Sequence, residues 1–155
     1  MTSYEPLSAP EIWDIDSSAS PAERLWRHVP GFGWMVADKF WASRVRPIIR
    51  KVEGQLKQRS EPDPTLWGDS VRRRDFALWL CKEMQENADW PNDHFIPDDP
   101  VYIAMWAPED GPEYVVRQIE SKLGITITEE EVIAWFGGQT VGELVDSLLA
   151  KASTS

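Results

Sequence analysis

The densest set of possible ligand atoms in this 155-residue chain lies between Asp89 and Asp99. Asp89, Asn92, Asp93, His94, Asp98 and Asp99 bring side-chain oxygens and one imidazole into a single short segment. Such oxygens suit calcium or another hard cation. The spacing differs from an EF-hand loop, and no glycine stands where that loop turns. Asp98 and Asp99, followed by Pro100, read instead as caps of a turn or helix. Glu109 and Asp110 are adjacent carboxylates of the kind used in acid–base work. His28 and His94 are the only histidines, and no Gly-x-Ser-x-Gly phrase offers a nucleophile beside them. Gly31, Gly33, Gly137 and Gly138 read as turn glycines and form no phosphate loop. Cys81 is the single cysteine, which excludes an intrachain disulfide framework. It falls on the apolar side of a helical pattern and reads as a small buried thiol.

One hydroxyl stands apart. In Gly68-Asp69-Ser70-Val71, Ser70 directly precedes a helical pattern whose apolar residues are Phe76, Ala77, Leu80, Cys81 and Met84. Asp69 or Ser70 is placed to cap that helix, which the pattern carries to about Ala88. Upstream, Pro21-Ala22-Glu23-Arg24 opens a short helical pattern that Pro30-Gly31-Phe32-Gly33 breaks. A second pattern runs from Trp34 to about Gln58, where Pro47 predicts a kink or a fresh helix start. Glu61-Pro62-Asp63-Pro64 reads as a linker. Downstream, residues 89–111 form a long connection rich in proline, with the apolar run from Val101 to Trp106 tucked on the core.

The strongest local signals come last. Pro112 opens a helix bearing Val115, Val116, Ile119 and Leu123, and Gly124 is placed to end it. Thr128 with Glu131, and Thr140 with Glu143, are two capping boxes. The first starts a short helix ending at Gly137-Gly138. The second starts a closing helix lined by Val141, Leu144, Val145 and Leu148.

Charge is divided unevenly. Residues 1–75 carry 12 Lys/Arg and 11 Asp/Glu, whereas residues 76–155 carry 4 and 15. The acidic half repels phosphate, so nucleic acid is excluded as its ligand and a basic protein surface is the expected partner. A mean hydropathy of -0.41 and the absence of a long apolar run exclude a membrane span. The basic stretch around Arg50, Lys51, Lys57 and Arg59 allows at most weak peripheral membrane contact. With no apolar leader at the N-terminus, the expected compartment is cytoplasmic. Nine tryptophans, without a repeat period, read as packing residues.

From Asp69 to Lys151 the order is helix, long loop, helix, short helix, closing helix. Together with Ile119-Glu120-Ser121-Lys122-Leu123-Gly124-Ile125-Thr126-Ile127, Thr128-Glu129-Glu130-Glu131 and Thr140-Val141-Gly142-Glu143-Leu144-Val145, this resembles the acyl carrier proteins over about half of the chain. The resemblance implies an all-α fold: a small carrier-like bundle over residues 61–155, an N-terminal helical extension over 21–60 and a flexible tail over 1–20. In that family a serine at the start of the second helix carries 4'-phosphopantetheine. Here the matching place reads Pro108-Glu109-Asp110-Gly111-Pro112, without a hydroxyl. Asp146-Ser147-Leu148 imitates the family phrase but lies inside the closing helix, with too little chain after it.

The leading expectation is therefore a non-enzymatic carrier relative with no cofactor that acts by protein contact. Glu109, Asp110, Glu113, Glu120, Glu129, Glu130 and Glu131 are its candidate partner-binding residues. A second reading is a working carrier with 4'-phosphopantetheine on Ser70. There Arg72, Arg73 and Arg74 would crowd the positive end of the helix dipole. A third is a small metal-binding protein or enzyme using the loop from Asp89 to Asp99.

Overall fold

The computed structural model describes residues 4–9, 25, 28–31, 33–106 and 111–155. It divides into two compact units, Met1–Ser8 with Gln55–Ser155, and Ala9–Gly54. The described residues are all-α: six helices and no strands. In chain order these are α1 (Gly33–Gln58), α2 (Val71–Ala88), α3 (Val101–Ala104), α4 (Glu113–Leu123), α5 (Glu129–Phe136) and α6 (Val141–Thr154). No helix among the described residues is long and apolar enough to cross a membrane.

The Ala9–Gly54 unit contributes most of α1. Of the kink or fresh helix start expected at Pro47, the fresh start does not occur: α1 is one helix with Pro47 inside. A proline removes the hydrogen bond to the carbonyl four residues earlier, here that of Ser43. Ser43 and Pro47 are both exposed, so water can take the freed carbonyl. Lys39, Arg46, Arg50 and Lys51 are exposed along the helix. Of the helical pattern between Pro21 and Pro30, Leu25, His28 and Val29 lie within the described residues. Leu25 is helical and exposed, and His28 N donates to Leu25 O at 3.2 Å. Trp13 and Ile15 lie outside the described residues.

In the larger unit, the starts of α2, α5 and α6 are held by side chains that satisfy otherwise orphaned backbone N–H groups. By contrast, α3 and α4 follow Pro100 and Pro112 without a side-chain cap. The expected linker at Glu61-Pro62-Asp63-Pro64 leads into a single 3-10 turn, Pro64–Trp67, whose first N–H is capped by Asp63 (2.9 Å from Thr65 N). That turn buries Trp67. Ser70 Oγ accepts from Arg73 N at 3.3 Å and caps α2. Both capping boxes form. Thr128 and Glu131 exchange hydrogen bonds at 3.3 and 2.8 Å, Thr140 and Glu143 at 3.2 and 2.9 Å. Helix ends follow the same economy of backbone groups. Gly124 closes α4 at φ 65° and donates to Glu120 O. Asp89 closes α2 at φ 54°, a left-handed conformation that aspartate tolerates better than bulkier residues.

The apolar positions of α2 form the centre of the core. Phe76, Ala77, Leu80, Cys81 and Met84 are all buried. Against α2 pack α3, α4 and α6, and α3 also packs on α5 and α6. Val101, Ile103, Ala104 and Met105 are fully buried, so the long connection supplies a core element of its own. Of the tryptophans, Trp67, Trp90 and Trp135 are buried, as expected of packing residues. Trp79 is half-buried, 5.5 Å from the Phe76 ring, with Lys122 Nζ 5.2 Å above its own ring.

The connection is tied to the start of α6 by backbone hydrogen bonds. Val101 N donates to Gln139 O at 2.9 Å, Val141 N to Asp99 O at 2.8 Å and Gly142 N to Pro97 O at 2.8 Å. A Cβ at position 142 would stand 2.9 Å from Pro97 Cβ and 3.1 Å from Pro97 O, and neither atom belongs to a flexible side chain. Gly142→Ala is therefore expected to destabilise the protein by about 1–3 kcal/mol despite alanine's better helix propensity. Urea unfolding monitored by circular dichroism measures this, and an unchanged midpoint would contradict it.

Candidate functional site

Three places were candidates for chemistry or contact. At the first, Ser70 is exposed and its hydroxyl oxygen is engaged as the cap of α2. The three arginines after it do not all face solvent freely. Arg73 is paired with Asp146 (2.6 Å) and also donates to Trp67 O, while Arg72 donates to Ser153 Oγ at 3.2 Å. The Arg73 hydrogen bonds hold the Asp146 carboxyl below its ordinary pKa.

The 89–99 segment is the second. Asn92, His94 and Asp99 are engaged in holding this segment to the end of α1 and the residues after it, whereas Asp93 and Asp98 are exposed. Asn92 Nδ2 donates to Leu56 O at 2.9 Å, and His94 Nδ1 lies 2.9 Å from Arg59 O. Asp99 is completely buried. Its carboxylate accepts from Arg59 Nη1 (2.7 Å) and Nη2 (3.1 Å), from Leu7 N (2.8 Å) and from Ile96 N (2.8 Å). Among the described residues no three His, Cys, Asp or Glu side chains converge as a metal site would need. Asp99 does cap a turn: its N donates to Ile96 O at 3.1 Å and its carboxylate accepts from Ile96 N. It is also the acidic half of a buried ion pair, with the Arg59 side chain only 6 % exposed.

The third place is the acidic set of the C-terminal helices, and the structure sorts its members. Glu109 and Asp110 lie outside the described residues. Glu120 Oε1 accepts from Ile127 N at 2.8 Å and so shapes the α4–α5 turn. Glu131 belongs to its capping box and is held by Lys151 Nζ at 2.7 Å, whose hydrogen bond lowers the pKa of that carboxyl. Glu113, Glu129 and Glu130 are exposed, and among the described residues none of them has an ion-pair partner. The helix expected to follow the carrier serine begins at Glu113, and the two described residues before it, Gly111 and Pro112, have no hydroxyl.

Beside the free carboxylates lies an apolar recess of about 390 Å³ lined by Pro112, Val132, Ile133, Phe136 and Gly137. Ile133 is 64 % exposed at this recess. The cause is local. α5 carries Val132, Ile133, Ala134, Trp135 and Phe136 in succession. At 3.6 residues per turn, five consecutive apolar residues surround the helix, so one face cannot turn inward. Trp135 takes the core side and Ile133 is left to solvent. Glu129 and Glu130 stand one turn before Ile133, on the rim of the same face. The recess was readable from that apolar run, although acidic positions alone did not indicate it.

No family model, curated protein or solved structure matches the chain.

Proposed function

We propose that the Gln55–Ser155 unit is a non-enzymatic, acyl-carrier-like helical module that works by docking a partner protein through α5. The observation that carries this reading is the exposed Ile133 at an apolar recess with Glu129 and Glu130 unpaired beside it. An apolar centre with a charged rim is the usual anatomy of a protein contact. The expected partner presents an amphipathic helix with lysine or arginine flanking its apolar face, so that apolar contact anchors it and opposite charge speeds its approach.

A labelled 18-residue amphipathic peptide with lysines on its polar face tests the proposal against the same peptide with glutamates there. The basic peptide is expected to bind, to weaken as salt rises toward the physiological range, and to lose about tenfold or more with Ile133→Asp. Equal binding of both peptides, or binding unaffected by Ile133→Asp, overturns the reading. The alternative of a working carrier draws on the exposure of Ser70 at the start of α2. Incubation with coenzyme A and a phosphopantetheinyl transferase is expected to leave the intact mass unchanged. A mass gain abolished by Ser70→Ala would instead establish the carrier.

A further inference from the structure

The segment at residues 4–8 falls within the stretch expected to be a flexible tail, yet Leu7 is only 2 % exposed. The segment forms neither helix nor strand. Its backbone is read by side chains. Glu5 O accepts from Arg59 Nη2 at 2.5 Å. Leu7 N donates to Asp99 Oδ1 at 2.8 Å. The Gln55 amide spans Ser8, accepting from its N–H and donating to its carbonyl, both at 2.9 Å.

This is how receptors bind extended peptides. Side chains pair with main-chain groups, and one pocket takes an anchoring side chain. Ordinary packing of a chain terminus needs no such bidentate amide. The acidic member of the set, Asp99, is fully buried, and Arg59 is locked against it, so the reading groups are rigid. The segment does not fill the space beside it. An open crevice of about 440 Å³ remains, lined by Tyr4, Glu5, Pro6, Ser8, Gln55 and Arg59 among others. It gives a competing chain access to Gln55 and Arg59, while Asp99 stays covered until the segment leaves.

We propose that this groove at the end of α1 is a peptide receptor whose ligand, an extended Pro-Leu-Ser segment, is residues 4–8 held in cis. The groups on the receptor side are Gln55, Arg59 and Asp99, with Leu7 as the anchor. Backbone recognition makes the site tolerant of neighbouring residues and strict about the leucine. Tethering keeps the local ligand concentration in the millimolar range, so an added peptide of the same pattern competes poorly until the tether is cut.

The test uses the full chain with a protease site inserted between Pro10 and Glu11. The probe is a fluorescent synthetic peptide of residues 1–10. After cleavage the chain is expected to stay helical and to exchange its own segment for the probe at one per chain. The uncut chain should bind at least about a hundredfold more weakly, the cis segment being in the way. A probe carrying Leu7→Asp should not bind, and Gln55→Ala, which removes two hydrogen bonds, should weaken binding about tenfold. Loss of helical signal on cleavage would show that the segment is an integral part of the fold, and the proposal falls. It falls equally if the cut chain fails to take up the probe, or if cut and uncut chains bind it alike.

Discussion

Replacing Asp99 with alanine is expected to destabilise the Gln55–Ser155 unit by about 3–5 kcal/mol, the largest electrostatic effect expected among the described residues. Asp99 is 0 % exposed, and its carboxylate satisfies two backbone N–H groups as well as the Arg59 guanidinium. Removing it strands a buried cation that retains only the carbonyls of His94 and Glu5. It also leaves the Leu7 and Ile96 N–H groups without an acceptor in a region that water does not reach. The cost of unpaired buried groups therefore dominates over the lost attraction itself. Two further variants separate these causes. Asp99→Asn keeps an acceptor but turns an amide N–H₂ toward a donor, and should recover part of the loss. The double change Asp99→Leu with Arg59→Met removes both charges, and should be less damaging than Asp99→Ala alone. Urea midpoints at constant slope measure all three. A loss below about 1 kcal/mol for Asp99→Ala would place this pair with ordinary surface bridges.

The second large effect is expected at Trp90. The ring is 2 % exposed, and its Nε1 donates to Ala104 O at 3.1 Å. Its own backbone closes the end of α2, with Trp90 N donating to Gln85 O at 3.0 Å and Trp90 O accepting from Gln85 Nε2 at 2.8 Å. The indole thus joins α2 to α3 through both a large apolar surface and one polar atom. Trp90→Ala should cost about 3–5 kcal/mol by opening a cavity and leaving the Ala104 carbonyl unpaired. Trp90→Phe keeps most of the volume and loses only the donor, and should cost about 1–3 kcal/mol. If the two variants unfold at the same urea concentration, the hydrogen bond and not the packing carries the effect.

What was legible in the sequence divides along range. The capping boxes at Thr128 and Thr140, the Ser70 cap and the Gly124 stop involve residues within a few positions of one another, and all of them form. The apolar spacing of α2 is equally local, and every residue it nominated is buried. At Pro47 the pattern left a kink and a fresh helix start both open, and the fresh start is not taken, because a solvent-facing proline can sit within a continuous helix. Arg59 and Asp99 could not be paired in advance. They lie 40 positions apart, and each has an ordinary charged-surface reading by itself. The acidic candidates share that difficulty. Glu120 looks like Glu129 and Glu130 on paper, yet it is occupied by Ile127 N, and Glu131, legible as a capping-box residue, is also held by Lys151. For Glu120, only the geometry of the neighbouring turn distinguishes a structural carboxylate from a free one.

The hydrogen bond from Leu7 to Asp99 spans 92 positions. Chains are synthesised from the N-terminus, so residues 4–8 leave the ribosome long before the aspartate that will receive them exists. The capped helices α4, α5 and α6 close over short loops and can form as soon as they emerge, whereas this contact must bear the entropy of a very large loop. Within the unit formed by Met1–Ser8 and Gln55–Ser155, this segment is thus made before the rest and, on that entropy, is expected among the last to find its place. During that interval its leucine is an exposed apolar residue, available to whatever meets the nascent chain.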